Sequence, residues 1–470
     1  MRTIGTLTAL GIAIGGCAAV SVEPRRPFGE VSAVVKERTG REIAWQSKEG
    51  ADDAEVRKLL EGGLTADRAI EIALLNNRDL QAMYSDLGVA QSDLVQASLL
   101  HNPVLAAGSA FPVGGGAVDV SLGLAVDVID LFYVPLRKRV AGAALEEATS
   151  RVAGDVLDTA WRAETAFTRH QADEQMLEMR RRVAESTAAS FEIARRLRAA
   201  GNATELSVVT EQALAEEAKL ELRLAEIGAR QSREQLSSLL GLSGGTVEWK
   251  IASARLPDPP EKPPDVDRIE ARAVERSLDL KAAKARSTAL AEQLGLERSS
   301  GLFPEFIVGG RGDRNRGDWQ SGPSLQIPVP LFDRGQARVS RATAELERAR
   351  NLSQALEVRV RSTARASRDR LIGHHDRAVY YRSVALPLRE RIVNEAGLQY
   401  NAMQLGPFDL LKAKEQQVEA GMRYVEALRD YWLAAADLGL ILAGHLPTLE
   451  PAPPPAPIEG IRRFPFPTVP

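Results

Sequence analysis

The sequence predicts a mainly α-helical chain with a small membrane-type β part, built as two homologous halves. Three observations carry that prediction. Short matches at an offset of about 200 residues keep one order along the chain. Apolar residues recur at three- and four-residue steps over very long runs rich in Ala, Glu, Arg and Leu, as coiled-coil packing requires. In each half, one run alternates apolar with small or polar residues at period two, and the first is long enough to cross a bilayer.

The first element is a leader over residues 1–16. Arg2 makes a positive start, Ile4 to Ile14 is a brief apolar run, and small residues follow. That run is too short to span a bilayer, which takes ~20 apolar residues. Cys17 is the single cysteine in 470 residues, so no disulfide or thiolate metal site is available. Ile14-Gly15-Gly16-Cys17 resembles the lipobox of bacterial lipoproteins, with Ile14 where Leu is usual. The resemblance implies a covalent lipid (palmitate) on Cys17 as the mature N-terminus, and no other cofactor. Ala18 in place of Asp carries no inner-membrane retention signal. A plain leader cut near Ala18 or Ala19 is the alternative. Residues 17–63 form a lipid-anchored segment with Trp45 and little pattern, which either wraps the bundle's waist or links the lipid to the barrel. The formal net charge is −3, and one unit lower once Arg2 leaves, which argues against a nucleic-acid partner.

The halves are residues 64–242 and 265–446. They are separated by a Pro-rich linker, 243–264, and followed by a Pro-rich tail, 447–470, predicted to be extended. Asp79-Leu80-Gln81-Ala82 matches Asp279-Leu280-Lys281-Ala282, Leu131-Phe132 matches Leu331-Phe332, and Glu211-Gln212 matches Glu415-Gln416. Each half opens with a helix, Leu64–Leu100 or Asp265–Ser300, with Thr65 as an N-cap. Two strands follow, about 103–111 and 117–131 in the first half and about 305–313 and 321–331 in the second. A long helix comes next, Leu136–Ala200 or Gln336–Gln404, with Pro387 expected to kink or break the second. A Gly-containing turn leads to the last helix, Thr204–Leu240 or Pro407–Ala443. Leu206, Val209, Ala213, Leu220, Leu224 and Ile227 form an apolar seam along the first of these. A 65-residue helix spans roughly 95 Å, a length that suits a tube or rod.

The strands are the membrane signal. Val118, Val120, Leu122, Leu124, Val126 and Val128 alternate with Asp119, Ser121, Gly123, Ala125 and Asp127. Leu325, Ile327, Val329 and Leu331 repeat the pattern. Polar or Gly-rich loops, 112–117 and 314–320, complete two hairpins. Phe132, Tyr133, Phe303 and Phe332 mark one end and Phe111 and Trp319 the other, as the aromatic girdles of a membrane barrel do. Arg137, Lys138 and Arg139 are expected to face water just past one girdle. A half-buried strand in a soluble sheet is the plain alternative. Four strands cannot close a barrel, since the smallest use about eight, and open edges in lipid strand backbone groups. The chain must therefore share its barrel, and duct-sized girth favours at least three copies.

At this point the pattern resembles the TolC-type outer-membrane factor family, over roughly Leu64 to Leu446. Leu64-Thr65 with Ala69, Ala73, Asn77 and Leu80 resembles the opening of each family repeat, and Leu99-Leu100-His101-Asn102-Pro103 its passage into the first strand. Gly201, Asn202, Ala203, Thr204 and Leu206 resemble one periplasmic hairpin tip, and Gly406, Pro407, Phe408 and Leu410 the other. The lipobox points to the lipoprotein branch, like outer components of heavy-metal and drug efflux systems. The resemblance implies a homotrimer with a twelve-stranded barrel on an α-helical tunnel. It also implies a periplasmic adaptor at the tips, an inner-membrane pump reached through it, and residence in the outer membrane. Gly201 and Gly406 are read as the residues that let the hairpins reverse. Glu205 and Asp409 either line an acidic constriction or act as first-turn helix acids; both readings stay open.

No enzyme is read here. Adjacent His374 and His375 point about 100° apart on a helix, a poor chelate. Met176 and Met179 read as core. Arg311-Gly312-Asp313 lies at a strand end, and Gly114-Gly115-Gly116 has no basic helix behind it. The reading is a passive exit duct for metal ions, drugs or other small compounds. The rivals are the outer component of a type I protein secretion system, a non-conducting coiled-coil envelope lipoprotein, and a periplasmic binding or enzymatic module.

Overall fold

A computed structural model describes residues 23–46, 53–111, 118–243, 248–262, 266–302, 305–315 and 318–447. Cys17, the leader, the expected 112–117 loop, Phe303 and nearly all of the Pro-rich tail lie outside the described residues. The elements in order are α1 (Arg26–Thr39), α2 (Asp53–Leu60), α3 (Ala66–Asn76), α4 (Arg78–Ala97), β1 (Val104–Ala110), β2 (Asp119–Asp127), α5 (Asp130–Ala199) and α6 (Glu205–Leu239). The second half repeats α3 to α6 as α7 (Ile269–Arg276), α8 (Leu278–Leu302), β3 (Ile307–Asn315), β4 (Asp318–Gln326), α9 (Gln336–Tyr380), a π-helical turn (Tyr381–Ala385), α10 (Leu386–Asn401) and α11 (Pro407–Ala443).

Each opening helix is split in two, where the sequence suggested one. Asn77 takes an extended conformation, ends α3 and caps α4 by accepting from the Leu80 amide at 2.9 Å. Ser277 does the same for α8, accepting from the Leu280 amide at 3.1 Å. Thr65 caps α3 as expected, accepting from the Arg68 amide at 3.3 Å. The long helix starts at Asp130, earlier than residue 136, with Pro135 inside its second turn. Proline this near a helix start forfeits only one backbone bond. The 70-residue α5 is about 105 Å long. Pro387 does not end the helical run: a π turn precedes it, and it lies at the start of α10, which continues to Asn401.

The strands form one antiparallel sheet in the order β1-β2-β3-β4. Their bounds correct the expected ones. β2 stops at Asp127, whose Oδ1 accepts from the Ile129 amide at 3.2 Å and the Phe306 amide at 3.0 Å. Residues 131–133 are therefore helical. β3 and β4 reach 315 and start at 318, so the expected 314–320 loop is mostly strand. β4 ends at Gln326, ahead of Pro328 and Pro330, which have no N–H for a ladder.

Two main cores stabilise the shaft, one per half. Val31, Val35, Leu80, Tyr84, Val152, Leu236 and Trp249 share the first. Ile269, Leu280, Val360, Leu371, Tyr431 and Ile441 share the second. α1 packs on α4 and α5, so the N-terminal segment lies along the shaft. The linker forms a belt at the same level. Gln171 Nε2 donates to the Ser253 and Arg255 carbonyls at 2.8 and 3.0 Å. Trp432 donates to the Pro257 carbonyl at 2.9 Å and Tyr424 to Asp258 at 2.6 Å. Among the described residues no helix is long and apolar enough to cross a membrane.

Candidate functional site

The sheet has two chemically distinct faces. Directly opposed residues share a face, so register assigns each side chain. One face carries Leu105, Leu124, Gly310 and Pro323 in one rung, Ala107, Leu122, Gly312 and Ser321 in the next, and Val126, Val308 and Leu325 at the near end. The other carries Gly108, Ser121, Asp313 and Gln320, then Ala106, Gly123, Arg311 and Gly322. On β2 the residues of the apolar face are the more exposed, and those of the polar face are half-buried. Trp319 lies over Gly312 and covers apolar-face area the glycine leaves open. Arg311 pairs with Asp313 at 2.9 Å on the polar face. β1 and β4 are edge strands, and edges in lipid must be paired.

Where the sheet meets the shaft, Asp130 is buried. It accepts from the His101 amide at 2.8 Å and pairs with Arg137 at 2.6 Å. Burial pushes its carboxyl up, but Arg137 and His101 hold it below the usual carboxylate range. Arg137 also donates to the Leu99 carbonyl at 3.2 Å. It is therefore drawn inward, where a water-facing role was expected.

At the far end of the shaft are two hairpin tips. In the first, Gly201 takes φ +78° and closes the end of α5, with the Asn202 amide donating to the Leu197 carbonyl at 2.8 Å. Thr204 caps α6 through the Ser207 amide at 3.1 Å. The second tip makes the same turn with another residue. Met403 takes φ +59°, and the Gln404 amide donates to the Gln399 carbonyl at 2.9 Å. Gly406 is extended and sits at the N-cap of α11. The expectation that Gly406 reverses this hairpin is corrected: Met403 does, 95 % exposed. Asn202, Glu205, Leu206 and Asp409 are exposed, whereas Ala203, Pro407, Phe408 and Leu410 are half-buried. Glu205 and Asp409 both lie in first helical turns, and Glu205 pairs with Arg198 at 3.4 Å. A cleft of about 380 Å³ separates the hairpins here, with Ser190, Thr210 and Glu211 on one side and Phe408, Asp409 and Lys412 on the other.

The seam at Leu206, Val209, Leu220, Leu224 and Ile227 does not pack within the chain; all five are exposed. α6 meets its own hairpin through Ala215, Ala218, Ala229, Ser232 and Leu236 instead. Small residues let long helices approach closely, so the expected seam is displaced to an outer face.

Sequence reasoning overlooked a pair of histidines 205 residues apart, one in each long helix. His170 accepts from or donates to Ser232 at 3.1 Å and stacks edge-on to Trp249. His375 Nε2 contacts the Pro260 carbonyl at 2.9 Å and stacks edge-on to Tyr431. The constant offset was the signal that could have found them. Met176 and Met179 pack where the belt meets both halves. Among the described residues no group of three or more His, Cys, Asp or Glu could hold a metal ion.

Similar proteins share this architecture. No protein-family model matches the chain. It is 24 % identical over 395 residues to the cobalt-zinc-cadmium resistance protein CzcC of Cupriavidus metallidurans, covering 81 % of this chain and 90 % of that protein. The crystal structure of CusC, described for transmembrane channel formation, superimposes with a TM-score of 0.67 at 13 % identity, over 86 % of this chain and 96 % of that one. The Campylobacter jejuni CmeC outer membrane channel gives 0.67 at 14 % identity, over 86 % and 90 %. The resemblance to outer-membrane factors read from the sequence stands, and the fold is theirs.

Proposed function

We propose that this chain, which has the outer-membrane factor fold, is one third of a lipid-anchored trimeric exit duct. The open-edged sheet with one apolar and one small-and-polar face carries the reading. Three copies, edge to edge, would make a twelve-stranded barrel with lipid outside and water inside, leaving no unpaired edge. The exposed Leu206–Ile227 seam is explained by the same assembly, as the face that meets a neighbouring shaft. Cargo moves passively through the lumen, and the sequence similarity to a cobalt-zinc-cadmium resistance protein supports metal cations as one cargo class. The tips around Asn202 and Met403 would dock a periplasmic adaptor that reaches an inner-membrane pump. Cys17 would carry the lipid.

The deciding measurement is native mass in mild detergent after outer-membrane extraction, beside a Cys17→Ala variant carrying a substitute leader. A trimer that stays embedded without its lipid is expected. A monomer, or release into solution without the lipid, would refute the shared barrel and favour a tethered coiled-coil spacer.

A further inference from the structure

The two halves close the same joint with different chemistry. In the first half, α6 ends at Gly241 (φ +67°) beside the α3–α4 break. Neutral amides hold it. Asn76 Nδ2 donates to the Leu240 and Gly241 carbonyls at 3.0 and 2.9 Å, and Asn77 Nδ2 to the Leu239 carbonyl at 2.8 Å. The next residue, Leu242, is buried in the core.

In the second half, α11 ends at Gly444 (φ +108°) beside the α7–α8 break. Here the amides are replaced by charge. The Arg38 guanidinium, from α1, donates to the Arg276 carbonyl at 2.6 Å and the Ala443 carbonyl at 2.5 Å. His445 stands where the first half has Leu242. Its ring lies against Gly154 of α5, where any Cβ would come within 2.7 Å of Nδ1. Nδ1 is 2.7 Å from Asp279 Oδ1, and the Leu446 amide donates to Asp279 Oδ2 at 2.9 Å.

The Nδ1–Oδ1 contact, at hydrogen-bond distance, combines a hydrogen bond with coulombic attraction, and both strengthen when the ring is charged. The groups facing the ring are Asp279 from α8, Asp155 and Asp158 from α5, and Arg151 behind Asp155. Arg38 and Arg276 complete the joint. Of these groups, the three carboxylates act on the ring most strongly. Burial alone would lower its pKa, but Asp279, Asp158 and Asp155 raise it overall. Burial pushes the Asp155 carboxyl up, against the pull of His445.

We propose that His445 and Asp279 form a proton-operated latch that ties the end of α11 and the start of α8 to α5. Charged, it closes the joint of the second half. Neutral, it loosens that joint, which Arg38 alone then holds, while the amide-held joint of the first half stays closed. The sign follows from the raised pKa: the contribution is complete in mild acid and lost as pH rises through the folded-state value. α11 runs from this joint to the Gly406 tip, so release loosens one arm of the second hairpin and neither arm of the first.

Hydrogen exchange of the full-length protein in detergent tests this, at about pH 6 and about pH 9, bracketing a histidine raised from its ordinary ~6.5. Exchange times are scaled for the chemical rate, and residues 237–242 serve as the internal reference. Protection of 440–446 and 278–282 should fall severalfold relative to that reference at the higher pH. His445→Leu, the first half's own residue, and Asp279→Asn should each abolish the difference. Equal relative protection at both pH values overturns the latch, as does a pH difference that survives in either variant. If His445→Leu does not fold, the wild-type comparison and Asp279→Asn still decide. The readout is local and does not depend on conduction or oligomeric state.

Discussion

Leu122→Lys and Ser121→Lys test which face of the sheet meets lipid. The two residues are neighbours on β2, near its midpoint, and point to opposite faces. Leu122 opposes Ala107 and Gly312, neither of which offers a carboxylate to a new ammonium. A lysine at the bilayer midplane costs about 2–4 kcal/mol on the lipid face of a barrel, and a lumen position is tolerated. That range is roughly 30- to 700-fold in the ratio of folded to unfolded chain. Ser121 opposes Gly108 and Asp313, so a lysine there gains a carboxylate neighbour and water. Equilibrium unfolding from lipid vesicles by urea should place Leu122→Lys well below wild type and leave Ser121→Lys within ~0.5 kcal/mol of it. Equal losses at both positions, or a larger loss at 121, would refute the assignment of faces and with it the shared barrel.

Five further outcomes follow from the geometry. Met403→Gly should stabilise the second tip by about 1 kcal/mol, because a left-handed backbone costs an L side chain roughly that much. Gly201→Ala should cost the first tip a similar amount, and since a Cβ there meets nothing within 4 Å, the loss would be purely conformational; thermal melting reads both. Thr204→Ala removes the α6 cap and should cost ~0.5–2 kcal/mol in the same assay. Arg137→Met leaves the buried Asp130 carboxylate without its ion pair and should cost about 3–5 kcal/mol, seen as loss of folded protein on extraction, whereas Arg139→Met should be near neutral. Burial first, and the nearby Arg233 charge second, lower the His170 pKa to about 4. Its ring is thus neutral in the fold, and the associated stability is complete above about pH 6.5 and declines as pH falls towards 4, by up to about 3 kcal/mol; His170→Gln should flatten that part of a melting-versus-pH curve.

Much of the architecture was legible because it rests on local chemistry with a fixed period. The two halves, the long helices and the alternation on β2 needed only 3.6- and two-residue repeats, which composition and order reveal directly. The Thr65 cap was readable for the same reason, since the partner amide lies three residues on. Boundaries were less legible. Nothing in Leu131-Phe132-Tyr133 announces helix over strand; Asp127 decides it by capturing the Ile129 and Phe306 amides, and Phe306 is 179 residues away.

What the sequence determined by itself was the doubled plan, the presence of very long helices and a membrane-sized alternating strand. Tertiary structure decided the rest. It put Met403, and not Gly406, in the left-handed turn, because the position is set by where α10 runs out of hydrogen-bond partners. It turned Arg137 inward to a buried carboxylate and moved the leucine seam of α6 to an outer face, since close helix approach selects the alanines. It also brought Arg38, Asp279 and His445 together from three distant parts of the chain. No local pattern encodes such a meeting, because each of those side chains is ordinary until burial removes the water that would otherwise satisfy it.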